Sequence, residues 1–337
     1  MKKLLLGIAA VCLAGFTFAQ DAPLWMRHSV ISPDGTTIAF TYKGDIYTVP
    51  VAGGRAMQIT TNPAYDTAPV WSPDSKRIAF ASDRMGSLDV YIVAKDGGEP
   101  RRLTTHSGSE TPLAFTDAGH VLFSAGIMPS AEAVVFPSNG QFNQVYRVSV
   151  EGGRPTMISS MPMECISINK EGAMLYQDKK GYEDYWRKHH VSPIARDIWM
   201  YTPGKEPQYR QLTTFGGEDR EPVWAPDGKT FYYLSEENGS FNIYRRTPGD
   251  AKAVQLTHYT KNPVRYLSAA TDGRLCYGFD GEIYTLLPGG EAQKVNISIV
   301  SDRNDKDIIR QIKSSGATEM AVSPDGKEVA FVLRGDV

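Results

Sequence analysis

One phrase recurs along this chain, and it limits the possible folds more tightly than any other feature. Its back half reads "DIYTVPVAGGRAMQIT" from Asp45, "DVYIVAKDGGEPRRLT" from Asp89 and "QVYRVSVEGGRPTMIS" from Gln144. It returns as "DIWMYTPGKEPQYRQLT" from Asp197, "NIYRRTPGDAKAVQLT" from Asn242 and "EIYTLLPGGEAQKV" from Glu282. The front halves are anchored by "SPDG" at Ser32, "SPDS" at Ser72, "TDAG" at Thr116, "NKEG" at Asn169, "APDG" at Ala225 and "TDG" at Thr271. Six units are complete, and "SPDGKEVAFVLRGDV" from Ser323 repeats the opening of the first, "SPDGTTIAFTYKGDI" from Ser32.

Each unit divides into four short runs rich in β-branched and aromatic residues. In the second these are "APVW", "RIAFAS", "DVYIVA" and "PRRLT", separated by Pro-Asp-Ser or Gly-Gly punctuation. Asp-Gly and Gly-Gly supply the positive-φ positions that tight hairpins need. Four antiparallel strands repeating at roughly 40–55 residues predict an all-β fold, a six-bladed β-propeller of four-stranded antiparallel blades. The first unit has its own opening strand, about 25–31, and the sixth its own final strand, about 292–297. Closure is therefore expected without a shared blade, by side-chain packing. The predicted organisation is 1–19 signal peptide, 20–297 propeller, and 298–337 linker with the first strands of a second propeller.

The leader reading rests on Lys2 and Lys3, the apolar run from Leu4 to Phe16, and small residues before Ala19. It is too short to span a membrane, and the residues before Cys12 fit a lipid-anchor motif poorly. Export to the periplasm or medium is the expectation. Formal charge is -2, near -4 without the two lysines, which argues against nucleic acid as the main partner. Cys165 and Cys276 fall in non-adjacent units, so two buried free thiols are expected rather than a disulfide.

The motifs "WSPDSKRIAF", "DVY", "GG" and "RRLT" resemble the WD40-like Pro-Asp repeats of TolB and of several peptidase propellers. "YEDYWRKHHVSPIARDIWMY", from Tyr182 to Tyr201, resembles the fourth-blade insertion of tricorn-type proteases. "SGATEMAVSPDGKEVAFVLRGDV" is similar to the junction where that family's second propeller begins. The resemblance implies a non-catalytic propeller region that guides or filters peptides toward a C-terminal serine-protease core, with the remaining protease domains as partners and a homo-oligomeric parent. A TolB-like periplasmic scaffold and the propeller of a prolyl-oligopeptidase-type hydrolase are the alternatives. The first lacks room for an extra N-terminal domain before Trp25, and the second needs an α/β segment where Ser323 opens another blade.

Strand alternation places the loops between second and third strands on one face, together with the loops between blades. Two of them are long, 126–143 in blade three and 179–196 in blade four, and long loops usually bind or cover something. Within the second, Trp186, Arg187, Lys188, His189, His190 and Arg196 are the candidate peptide- or partner-binding residues, with Arg187 and Arg196 as donors to a carboxylate. The competing reading pairs these charges with Glu183 and Asp184 or with solvent. Adjacent histidines diverge on a strand, so no metal site is assigned, nor any cofactor. G-x-S-x-G, H-E-x-x-H and C-x-x-C are not found, so no catalytic residue is assigned. His28, His106, His120 and His258 read as single polar residues at blade edges or loops. Asp34, Asp74, Asp227 and Asp325 read as turn formers, and Arg101 as a solvated edge.

Overall fold

The computed structural model describes residues 23–126, 142–182, 191–300, 315–333 and 337. Among these residues, six four-stranded antiparallel sheets follow one another, each with its strands in chain order. In the second sheet the order is Asp66–Trp71, Arg77–Ser82, Asp89–Ala94, Arg101–Arg102. The first strands of the sheets are Arg27–Ile31, Asp66–Trp71, Glu110–Asp117, Met163–Ile168, Asp219–Trp224 and Arg265–Ala269. Each lies against the first strands of the sheets before and after it, and the sixth lies against the first. The chain is thus a closed six-bladed propeller with these strands around its axis.

The recurring residues each have a physical task. In the first turn Ser32 Oγ donates to Asp34 Oδ1 at 2.5 Å, and that oxygen accepts the Thr36 amide at 3.0 Å. Gly35, at φ +72°, closes the turn through its amide onto Ser32 O. Ser72 and Asp74 repeat the bond at 2.6 Å. The Thr of the "LT" phrase is a latch. Thr60, Thr104, Thr213 and Thr257 accept the amides of Ile46, Val90, Ile198 and Ile243, each at 2.9 Å. The fourth strands are short, and the latch satisfies a buried main-chain donor that the ladder would otherwise leave open.

The second and third strands are apolar nearly throughout, as in "RIAFAS", because both blade faces are covered by neighbours. Alternate residues go to opposite seams. Ile78 and Phe80 join Ala39, Ile46 and Ile59 between blades one and two, while Ala79 joins Phe115, Val121 and Phe123 between blades two and three. Phe or Tyr in the second strand opposes Tyr in the third. Phe40–Tyr47, Phe80–Tyr91, Phe123–Tyr146 and Tyr277–Tyr284 are stacked at 5.6–5.9 Å. Trp71 and Trp224 donate across a seam, to Val30 O at 3.0 Å and Ala173 O at 3.2 Å.

Closure departs from expectation. No blade is shared, yet the seam between blades six and one also carries main-chain bonds. Ile297–Ser298 runs parallel to Gly54–Arg55, with Gly54 N donating to Asn296 O at 2.8 Å and Ala56 N to Ser298 O at 2.9 Å. Blade six accordingly ends at Gln293–Lys294, and Ile297 belongs to this clasp. Gly53 is required there. It has φ +85°, and a Cβ would stand 2.5 Å from Asn296 O. Beneath the clasp Ile38, Phe40, Cys276, Ile283, Val295 and Ile297 form an ordinary inter-blade core.

Two smaller expectations are also corrected. Arg101 is not merely solvated, because it reaches Glu151 of blade three at 2.7 Å. Of the two thiols only Cys276 is buried, while Cys165 is exposed. Ala317–Val322 and Val329–Leu333 pair with each other alone among the described residues and leave Met320 and Phe331 exposed.

Candidate functional site

Every inner strand breaks register near its start, and that of blade three does so again between Phe115 and Asp117. The breaks lie between Arg27 and Val30, Thr67 and Val70, Pro112 and Ala114, Glu164 and Ser167, Arg220 and Val223, and Arg265 and Ser268. At these bulges His28, Ala68, Cys165, Glu221 and Tyr266 take φ of +48° to +59°. For non-glycine residues this conformation costs about 1–2 kcal/mol each, and its recurrence in five of the six blades marks a shared backbone device that re-aims one side chain in each of them.

These residues meet across the blades around the axis. His28 stacks obliquely on Tyr266, ring centroids 4.9 Å apart, and its Nδ1 lies 3.0 Å from Thr67 Oγ1. Glu221 accepts the Leu267 amide at 2.8 Å, and its own amide donates to Gln177 Oε1 at 3.0 Å. Cys165 lies on an inner strand with inner strands on both sides, so the solvent it meets is that of the axial opening. Burial, with Arg27 adding, holds His28 down at about 4, so its imidazole is neutral at physiological pH. Enclosure pushes the Cys165 thiol well up, and Glu221 and Glu164 push it further. A protonated thiol is a poor nucleophile. The axis therefore offers hydrogen-bonding and apolar surface rather than an activated nucleophile. His28, read as an edge histidine, is instead part of this lining.

Beside the bulges, toward the face of the long loops, lies a charged collar. Arg196 donates through Nε to Glu164 Oε2 at 3.1 Å and through Nη1 to Glu218 Oε1 at 2.7 Å. Glu164 also accepts Gln177 Nε2 at 2.9 Å and pairs with Lys179 at 3.2 Å. Burial would raise Glu164, but Arg196 and Lys179 outweigh it and hold the carboxyl below its usual range. Arg220 pairs with Glu218 and lies 5.1 Å from the Phe241 ring centroid. Of the residues singled out from sequence, Trp186, Arg187, Lys188, His189 and His190 lie outside the described residues. Arg196 is buried at the blade four–five seam, where a peptide carboxylate would compete with Glu164 and Glu218 for its guanidinium. The loop's base is fixed. Lys180 Nζ donates to Ala195 O at 2.7 Å, and Ser192 N to Gly216 O at 3.1 Å.

The axial residues carry no signal of their own in the repeat, because the inner strands vary from blade to blade, as in "RHSVI", "DTAPVW", "MECISI", "DREPVW" and "RYLSA". Among the described residues no group of three or more His, Cys, Asp or Glu side chains is placed to hold a metal ion. Nor is any helix long and apolar enough to cross a membrane.

Repeated Pro-Asp blades around a polar axis define a six-bladed propeller. The chain belongs to the family described as "Tricorn protease N-terminal beta propeller domain", which matches residues 23–292. It is 26% identical over 289 residues to Tricorn protease homolog 1 of Streptomyces coelicolor, covering 84% of this chain and 26% of that protein. It is 24% identical over 328 residues to the Tricorn protease homolog of Saccharolobus solfataricus, covering 93% and 28%. The crystal structure of the tricorn protease superimposes with a TM-score of 0.67 at 19% identity, over 92% of this chain and 29% of that one. The chain thus spans about a quarter of the length of the curated relatives it matches.

Proposed function

We propose that this chain is the propeller region of an exported tricorn-type serine protease, guiding or filtering peptides for a proteolytic core carried on further domains. The family match over residues 23–292 carries the reading. The axial lining supports it. Neutral imidazole, thiol, phenol and hydroxyl groups suit passing contact with an extended polypeptide, and the charged collar discriminates at the mouth. The partners are peptides or unfolded segments, the remaining protease domains, and other copies of the parent. The leader supports export.

The test uses the longer polypeptide that includes the protease core. Attaching a bulky maleimide at Cys165 is expected to slow cleavage of long peptides severalfold while leaving an unrelated stretch of the ring folded. A Cys165→Ala control should be indifferent to the reagent. Equal cleavage rates with and without the label would refute axial guidance. Export is checked by N-terminal sequencing of the secreted or periplasmic protein, expected to begin at Gln20, and a retained leader on cytosolic protein would overturn it.

A further inference from the structure

A cleft of about 540 Å³ opens at the blade six–one seam, within the range of small-ligand sites, roughly 300–1,000 Å³. Its wall includes Trp25, Arg27, Arg265, Tyr266, Phe279 and Asp280. Three observations make it a built site. First, Trp25 is held at φ +68° with its side chain 64% exposed, while the next amide, Met26 N, is tied to Gly281 O at 3.2 Å. A large aromatic in that conformation is unusual, and such strain concentrates where function needs it. Second, Gly278 provides a cradle for Tyr266, since a Cβ there would stand 3.0 Å from the ring. Third, the charges are segregated. Arg27 and Arg265 stand on inner strands beside the axis, and Asp280 stands in the outer turn, its Oδ1 accepting Asn262 Nδ2 at 2.8 Å.

The register sets the distance between the two poles. Arg265 is opposite Gly278 on the second strand, and Phe279 is opposite Glu282 on the third. Asp280 follows two residues beyond Gly278, in the turn that ends the second strand, so one strand spacing across and two residues along separate the cationic and anionic sides, about 8 Å. An extended peptide advances roughly 3.3–3.6 Å per residue, so two to three residues bridge that gap.

We propose that this cleft binds short free peptides of two to three residues by both charged ends, the C-terminal carboxylate at Arg27 and Arg265 and the N-terminal ammonium at Asp280. An apolar side chain on the peptide lies against Trp25 and Phe279. Arg27 and Arg265 already interact within the protein, and a guanidinium has five donors, enough to add a carboxylate. Glu282, also in the wall, is held by Lys294 and adds little net charge, which leaves Asp280 as the ammonium's partner. The inference deepens the proposed function and relies on it only for the source of such peptides.

The experiment is calorimetric titration of the purified chain with free Ala-Ala-Phe, its C-terminal amide and its N-acetyl form, with indole fluorescence followed in parallel. The free tripeptide is expected to bind, and each capped form to bind about tenfold more weakly or worse, since a charge-assisted hydrogen bond contributes about 1.5–3 kcal/mol. Arg265→Gln should weaken the free peptide but not the amide, and Asp280→Asn should weaken the free peptide but not the N-acetyl form. Trp25→Ala, at an exposed side chain, serves where Arg265→Gln disturbs folding, and it should lower affinity and abolish the fluorescence change. Equal affinity for all three peptides, or no binding at millimolar concentration, overturns the inference. Either result leaves the axial-guidance test untouched, because that test reads cleavage of long peptides past Cys165.

Discussion

Glu110 gives the sharpest test of how the seams are held. It begins the inner strand of blade three, almost wholly buried, and faces Asp89 of blade two, Thr104 and the His106 main chain. Arg102 pairs with Asp89 at 2.9 Å from the other side. Burial, with Asp89 adding, pushes Glu110 up to about 7 from 4.5. The sign follows from proton counting. Between those values the folded protein keeps a proton that the unfolded chain has released, so stability falls as pH rises. A raised carboxyl contributes no penalty below the unfolded pKa and its full penalty above the folded one. The interval of about 2.5 units corresponds to roughly 3 kcal/mol at 1.36 kcal/mol per unit. Glu110→Gln keeps the shape and donates an amide hydrogen toward Asp89, so it should match the parent near pH 5 and exceed it by about 2 kcal/mol at pH 8. Urea unfolding at pH 5, 6, 7 and 8 measures the difference. Curves for variant and parent that stay parallel across this range would refute the reasoning. Asp219, pushed up to about 7 chiefly by burial, should give the same pH signature as Asn.

Gly53→Ala forces a Cβ toward Asn296 O, and hydrogen exchange at the Gly54 and Ala56 amides should accelerate while that at Val90 does not; unchanged exchange would mean the clasp contributes nothing. Thr104→Val leaves the Val90 amide without its acceptor and is expected to cost about 1–3 kcal/mol by denaturant unfolding, and a cost near zero would dismiss the latch. In the folded protein Cys165 should react with a thiol reagent while Cys276 does not, at a rate that rises steeply with pH because its thiol is held protonated; fast labelling at pH 6 would contradict that assignment.

Much of the ring was legible in the sequence because each repeated residue answers a local demand. Asp34 and Asp74 close turns, the Phe–Tyr pairs stack across a strand pair, and Trp71 and Trp224 bridge a seam. Blade number and strand order follow from these demands. The reading missed the clasp, since two residues pairing in parallel across 240 positions leave no periodic trace; Gly53 reads like any hairpin glycine. It missed the axis for a different reason. His28 and Cys165 belong to one ring only because a bulge turns each toward the centre, and a bulge is a register event that composition does not announce. Arg196 was recognised as a donor, but its acceptors, Glu164 and Glu218, come from another strand and another blade.

The bulge has a consequence for how such a ring can change. At five of the six inner strands the backbone, rather than the side chain, fixes the direction in which a residue projects. Histidine, alanine, cysteine, glutamate and tyrosine all occupy the position, with φ between +48° and +59°. None of the five is a member of an inter-blade core. The lining can therefore change chemistry without repacking an apolar seam, most freely at Ala68 and Cys165, while His28, Glu221 and Tyr266 are also tied to neighbouring blades.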